Sequence, residues 1–210
     1  MLWLIPSGLK SSRLDVNRNL DYIGQLMTPR TWHMAQLTEY SFKWAGDNDC
    51  YTGKFNKGKF IKWLEMARPY QDRCLFVTCP DVVCDPITTC KQYLEWQPII
   101  KNMGYRPALV LQDGIKSKDI DWANTDAVFV GGSTDWKLSQ DVIRLLIKAG
   151  ERGKWRHIGR INSLKRMSHF WNYAESFDGT DFIYHPEESV KMYLPKIRGR
   201  KLQGIFQLVD

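Results

Sequence analysis

The chain has 210 residues, 43% of them hydrophobic and 25% charged, and a formal net charge of +7. Such a length carries one barrel or one large α/β domain with a sizeable core, and the composition excludes a disordered chain. No apolar run approaches the ~18 residues that a membrane span needs.

In chain order, residues 1–6 come first. They are too short for the hydrophobic region of a signal peptide and lack a basic start, so 2–6 reads as a strand. Further strands are predicted at 42–46, 74–79, 108–111, 127–130, 155–159 and 174–177. Helices are predicted between them at 55–68, 86–103, 137–149 and 163–171. Asp85 followed by Pro86 gives an N-cap and a proline at the first helical position, and Gly104 stops that helix. Ser163 caps the helix carrying Lys165 and Arg166, while Gly150 and Gly153 end the one before Trp155. The stretch 193–210 reads equally as a helix or as an eighth strand. Strands alternating with helices imply a parallel sheet, open or closed. No stretch reads as an interdomain linker, so 1–210 is expected to form one domain.

Five cysteines, at positions 50, 74, 79, 84 and 90, are odd in number and contain no CxxC pair. They read as reduced thiols of a cytoplasmic protein, and their spacing matches no zinc site.

Six of the predicted strands run straight into polar or small residues. These are Asp47-Asn48-Asp49, Pro80-Asp81, Gln112-Asp113, Gly131-Gly132-Ser133, the stretch from Arg160 to Asn162, and Asp178. Ligands of parallel α/β folds bind at the carboxyl ends of strands, so these groups are expected to converge on one mouth. Any one Asp or Gly is an ordinary turn former; six strands ending this way point to a site. Gly131 and Gly132 let a flat ligand approach the backbone, because no Cβ stands in the way. Asp178 sets a carboxylate at the end of another strand. A flat ligand beside a carboxylate suits chemistry on a nucleobase.

The positive charge is uneven. Between Arg144 and His169 there are eight Lys or Arg and one acid, Glu151; between Lys191 and Lys201 there are five basic residues and no acid. Such blocks attract polyanions with a salt-dependent, sequence-independent affinity. A solvated basic surface accounts for the charge equally well. Trp155, Phe170, Trp171 and Tyr173 interleave with the charges, as core residues or as stacking surfaces for an unpaired base.

Five segments carry a resemblance in their order and spacing. They are Ala45-Gly46-Asp47-Asn48-Asp49-Cys50-Tyr51, the run from Val77 to Asp85, Leu109 to Gly114, Val128 to Leu138, and Gly153 to Leu164. Together they resemble the tRNA-guanine transglycosylase superfamily, and more closely its small phage-type members, the DpdA-like deazapurine DNA modification proteins. The resemblance implies a (β/α)8 TIM-type barrel that exchanges guanine in DNA for a 7-deazaguanine, preQ0 or a relative. By the same resemblance Asp178 is the nucleophile that forms a covalent glycosyl intermediate, and Asp47 moves protons on the departing and incoming bases. Asp81 would accept from the base edge, with Asp85 as its rival. Gln112 and the backbone N–H groups near Gly131 and Gly132 would donate to the base carbonyl. Arg160, Asn162, Lys165 and Arg166 would hold the nucleic acid.

The partners implied are DNA, with its guanine flipped out or single-stranded, and the free 7-deazaguanine base. No cofactor is expected, because base exchange is close to energetically neutral. The setting implied is the cytoplasm, that of the host for a phage-encoded protein. The chain departs from the family in three ways. No cysteine follows Cys90, so the zinc subdomain of the tRNA enzymes is missing. The chain is short for a full barrel, so one strand or helix is expected to be abbreviated. Residue 49 is Asp where a small residue is expected, which alters the first turn. The same chemistry on tRNA, a nucleoside hydrolase or glycosidase-like barrel, and a non-catalytic nucleic-acid-binding barrel are the alternatives.

Overall fold

A computed structural model of the chain, describing residues 1–6, 19–31 and 34–206 with side chains through residue 199, is a closed barrel of eight parallel strands. The strands are β1 (Leu2–Pro6), β2 (Ile23–Met27), β3 (Trp44–Gly46), β4 (Cys74–Thr78), β5 (Pro107–Leu111), β6 (Ala127–Val130), β7 (Trp155–Ile158) and β8 (Ser176–Asp178). Each pairs with the next in sequence, and β8 returns to β1 with Trp3 opposite Phe177 and Leu4 opposite Asp178. The helices are α1 (Met34–Glu39), α2 (Lys57–Ala67), α3 (Pro86–Asn102), α4 (Thr134–Lys137), α5 (Gln140–Glu151), α6 (Leu164–His169), α7 (Asp181–Tyr184) and α8 (Pro186–Phe206).

Strand alternation builds two cores. Leu4, Leu26, Ala45, Phe76, Ala108 and Ala127 fill the inside of the barrel. Trp44, Val77, Leu109, Val128 and Val130 face outward and meet helix residues such as Trp63, Trp96, Val142 and Leu146. In β6, for instance, Ala127 and Phe129 belong to the inner cluster and Val128 and Val130 to the outer one, the period of two that a strand imposes. The helices bury stripes of matching period: α5 buries Val142, Ile143, Leu145, Leu146 and Ala149. Burying each such aliphatic side chain stabilises the fold by about 1.5–3 kcal/mol before entropy is counted.

The expectation of a (β/α)8 barrel holds, and the sheet is closed. The structure decides one detail that the sequence leaves open and adds one that the sequence misses. The missing strand is not in 193–210, which continues helix α8 as far as Phe206; residues 207–210 lie outside the described ones. Tyr193, Leu194 and Ile197 are buried at helical spacing, and the Tyr193 ring sits 4.4 Å from that of Trp3. The helix thus covers the seam where the barrel closes. The additional strand is β2, Ile-Gly-Gln-Leu-Met, which contains no apolar run. Gly24 is required there, because a Cβ would lie 2.4 Å from the Lys43 carbonyl oxygen and 2.8 Å from Leu4.

The abbreviation falls between β5 and β6. Among the described residues that connection has only a 3-10 turn, Ser117–Asp119, in place of a helix. Ile115, Ile120 and Trp122 pack on the outer core in its stead. No helix of the described residues is long and apolar enough to cross a membrane. All five cysteines are free.

Candidate active site

The carboxyl ends of the strands surround a cavity of about 140 Å³. That is small beside the ~300–1,000 Å³ of most ligand pockets and fits one compact ligand. A larger cleft of about 510 Å³ lies at the opposite end, around Arg106, Arg156 and Glu175. In this fold that face serves stability, and Arg156 and Glu175 pair there. The smaller cavity is therefore the candidate site. Its walls include seven residues expected from the sequence: Asp47, Asp81, Gln112, Gly131, Gly132, Arg160 and Asp178.

Asp178 ends β8 and is 5% exposed. One carboxylate oxygen faces His157 Nε2 at 2.9 Å, and the other accepts the backbone N–H of Arg160 at 2.9 Å. Arg160 adopts a left-handed backbone, φ 59°, which an ordinary side chain rarely does. In that conformation its N–H reaches the carboxylate, while its guanidinium donates to the Gly132 carbonyl and lies 4.8 Å over the Tyr51 ring. Arg160 is thus part of the cavity wall as well as of the basic surface.

Asp47 follows β3, where Ala45 is an inner-core residue, so alternation turns the Asp47 side chain inward. Burial, then the charges of Asp81 and Asp178, push its carboxyl up to about 7. Asp81 is also raised by burial, opposed by hydrogen bonds from Asn48 and Gln112. Those bonds run from Asn48 Nδ2 at 2.8 Å and Gln112 Nε2 at 2.7 Å, one to each oxygen.

Several expected roles change with these partners. The resemblance implies that Gln112 donates to a base; in the structure it braces Asp81 and accepts the Cys84 N–H at 3.0 Å, tying β5 to the β4 loop. The Gly131 N–H is not available to a ligand, because it donates to the Leu111 carbonyl at 3.0 Å and so continues the strand ladder. Gly132 has φ 67°, and a Cβ there would lie 2.4 Å from Asp113 Oδ2, so the tight turn depends on glycine. Asp85 is not a second base-binding carboxylate. It caps α3, accepting the Thr88 N–H at 3.0 Å and hydroxyl at 2.7 Å, and those bonds hold its carboxyl below the usual range.

Asn162 lies outside the cavity wall, and its Oδ1 accepts the Thr180 N–H at 2.9 Å, linking the loops after β7 and β8. Lys165 and Arg166 lie on α6, exposed and half-buried respectively. Asp49, the unexpected residue of the first turn, is left-handed at φ 66° and pairs with Arg30, which anchors that turn.

Four contributors were not singled out from the sequence. Asn48, 1% exposed, joins Asp81 to the Cys79 carbonyl. Tyr51, 66% exposed, stands at the mouth. Lys137, 4% exposed, donates from Nζ to the Gly159 carbonyl. Burial and then the charge of Arg160 lower its ammonium to about 8, against the pull of Asp178. His157, fully buried on β7, could have been found from its alternation with the outward Ile158.

No protein-family model matches the chain, and no curated protein matches it significantly. Solved structures do match in shape. A dihydrodipicolinate synthase from Bacillus clausii superposes with a TM-score of 0.57 at 13% identity, over 99% of this chain and 77% of that one. A ligand-free mutant of tryptophan synthase from M. tuberculosis gives 0.56 at 11% identity, over 94% of this chain and 88% of that one. At such identities the likeness establishes the barrel fold alone.

Proposed function

We propose that the protein is a glycosyl-transfer enzyme that exchanges guanine in DNA for a 7-deazaguanine, preQ0 or a relative. The observation that carries this reading is a pair of aspartates in contrasting settings within one cavity. Asp178 accepts the Arg160 N–H and faces His157 Nε2, whereas desolvation and the neighbouring carboxylates push Asp47 up to about 7. One carboxylate to attack and one carboxyl to move a proton near neutrality are what base exchange needs. Asp47 falls within one of the segments that resemble the transglycosylase superfamily, and Asp178 stands at the position that resembles its nucleophile.

In the first half-reaction an Asp178 oxygen attacks C1′ of the deoxyribose. The C1′–N9 bond breaks, its electron pair leaves with guanine, and Asp47 donates the proton that neutralises the departing base. In the second, Asp47 takes the N–H proton of the incoming base. That nitrogen attacks C1′, and the C1′–oxygen bond to Asp178 breaks, restoring the carboxylate. Asp81, with lone pairs left after its bonds to Asn48 and Gln112, accepts from the N–H groups of the base edge. A base stacked in a duplex cannot reach a barrel mouth, so the target guanine is extruded or unpaired. Lys165 and Arg166 beside the mouth meet the flanking phosphates.

The test is incubation of guanine-containing DNA with isotope-labelled preQ0, followed by nucleoside mass analysis. Incorporation of label with equal release of guanine, lost in Asp178→Asn, supports the proposal. Guanine release without incorporation makes the protein a hydrolase, and exchange in tRNA alone moves the substrate. Binding with no release from either nucleic acid leaves a non-catalytic barrel.

A further inference from the structure

Four polar side chains form a file through the inside of the barrel, a space that this fold usually packs with branched apolar residues. Trp155 and His157 are two apart on β7, Ser176 and Asp178 two apart on β8, and His157 lies opposite Ser176 in the register. The strand period points all four inward. The Trp155 indole N–H donates to Ser176 Oγ at 2.9 Å. Ser176 Oγ is 2.8 Å from His157 Nδ1, and His157 Nε2 is 2.9 Å from Asp178 Oδ2. Phe129 and Phe76 lie against the imidazole, with ring centroids 4.6 and 5.2 Å away. Those apolar rings offer its nitrogens no alternative partner.

The chemistry of these groups sets the direction of every hydrogen bond. An indole nitrogen can only donate, so Ser176 Oγ accepts from Trp155. The Ser176 hydroxyl hydrogen then has one acceptor among the described residues, Nδ1 of His157. Nε2 is left to carry the imidazole hydrogen and to donate it to Asp178. A hydrogen on Nδ1 would strand the buried hydroxyl without an acceptor, at a cost that folded proteins avoid.

We infer that His157 is a positioning residue, locked by Ser176 and Trp155 as the Nε2–H tautomer so that it orients the Asp178 carboxylate for attack. This rests on the proposed role of Asp178 as nucleophile. The Arg160 N–H holds the other oxygen at 2.9 Å, so the carboxylate plane is fixed at two points. A nucleophile fixed in this way reacts without first losing rotational freedom. Without the His157 donor the carboxylate turns about one remaining bond, and its reactive lone pair spends less time in line with C1′.

Two measurements test the inference. Protein labelled with 15N-histidine and observed through multiple-bond proton–nitrogen correlations reports which ring nitrogen carries the hydrogen, with the His157→Gln spectrum assigning the signal. The expected pattern is Nε2–H; a hydrogen on Nδ1 overturns the relay without recourse to any variant's activity. In the first turnover, His157→Leu should form the protein–DNA adduct about 10- to 100-fold more slowly while binding free preQ0 as wild type does. His157→Gln, which returns an N–H donor, should recover most of that rate. Equal rates for the Leu and Gln variants, or a loss confined to base affinity, overturn the positioning role. The Nε2–H tautomer in a chain that forms no adduct keeps the orientation of Asp178 and removes glycosyl transfer as its purpose.

Discussion

Replacing Asp47 by Asn should flatten the pH dependence of folding stability between about pH 4 and 7. In the unfolded chain this carboxyl titrates at its ordinary 3.8, and in the folded protein it is pushed up to about 7. Between those values the unfolded chain has lost the proton and the folded protein keeps it. Folding therefore takes up a proton, and stability falls as pH rises through this window, levelling off above about 7. Three units at about 1.4 kcal/mol each give an upper limit of about 4 kcal/mol. Screening at the partly exposed wall of the cavity lowers this to about 2–4 kcal/mol. Asn keeps the shape of the side chain and has no proton to lose, so its contribution does not vary with pH. Urea unfolding of wild type and Asp47→Asn at half-unit steps from pH 4.5 to 7.5 measures the difference directly. Some slope remains in the variant, because burial raises Asp81 in the same direction. Since the charges of Asp81 and Asp178 contribute to the shift, Asp178→Asn should reduce the wild-type slope as well. Parallel curves for wild type and Asp47→Asn would refute the reasoning, for they would mean that Asp47 ionises as freely folded as unfolded.

Asp81→Ala should weaken binding of free preQ0 by about tenfold to a hundredfold, the cost of leaving donors on the base unpaired at roughly 1–3 kcal/mol; titration calorimetry against base and against DNA checks it, and equal losses for both would make Asp81 structural. Lys165→Gln with Arg166→Gln should weaken DNA binding on every sequence and reduce the log–log salt slope by up to roughly two charges' worth. An unchanged slope in that double variant would place the DNA path along the basic run of 191–201. Gly24→Ala should lower the melting midpoint by roughly 2–12 °C, from an overpacking cost of about 1–3 kcal/mol in a chain of this size; an unchanged midpoint would contradict the close approach of β1 and Lys43 to β2.

What the sequence determined by itself was local in origin. Asp85-Pro86 and Gly104 bracket α3 because a cap, a fixed φ and a residue at φ 87° act within a few positions of each other. Alternating apolar strands and capped helices were enough to specify a parallel α/β fold, and polar residues after strand after strand located its mouth. Tertiary structure alone decided the rest. Ile23–Met27 is a strand because β1 and β3 flank its backbone on both sides, although its Gly and Gln give no strand signal. Gln112 braces a carboxylate, Gly131 spends its N–H on the ladder, and Asp85 serves its own helix. His157 is set between Ser176 and Asp178 of the neighbouring strand. The shift of Asp47 likewise comes first from burial and then from the charges of Asp81 and Asp178, which are remote in the chain and line the same cavity. Hydrogen bonds and electric fields depend on separation through space, and chain order does not contain that separation until the barrel closes.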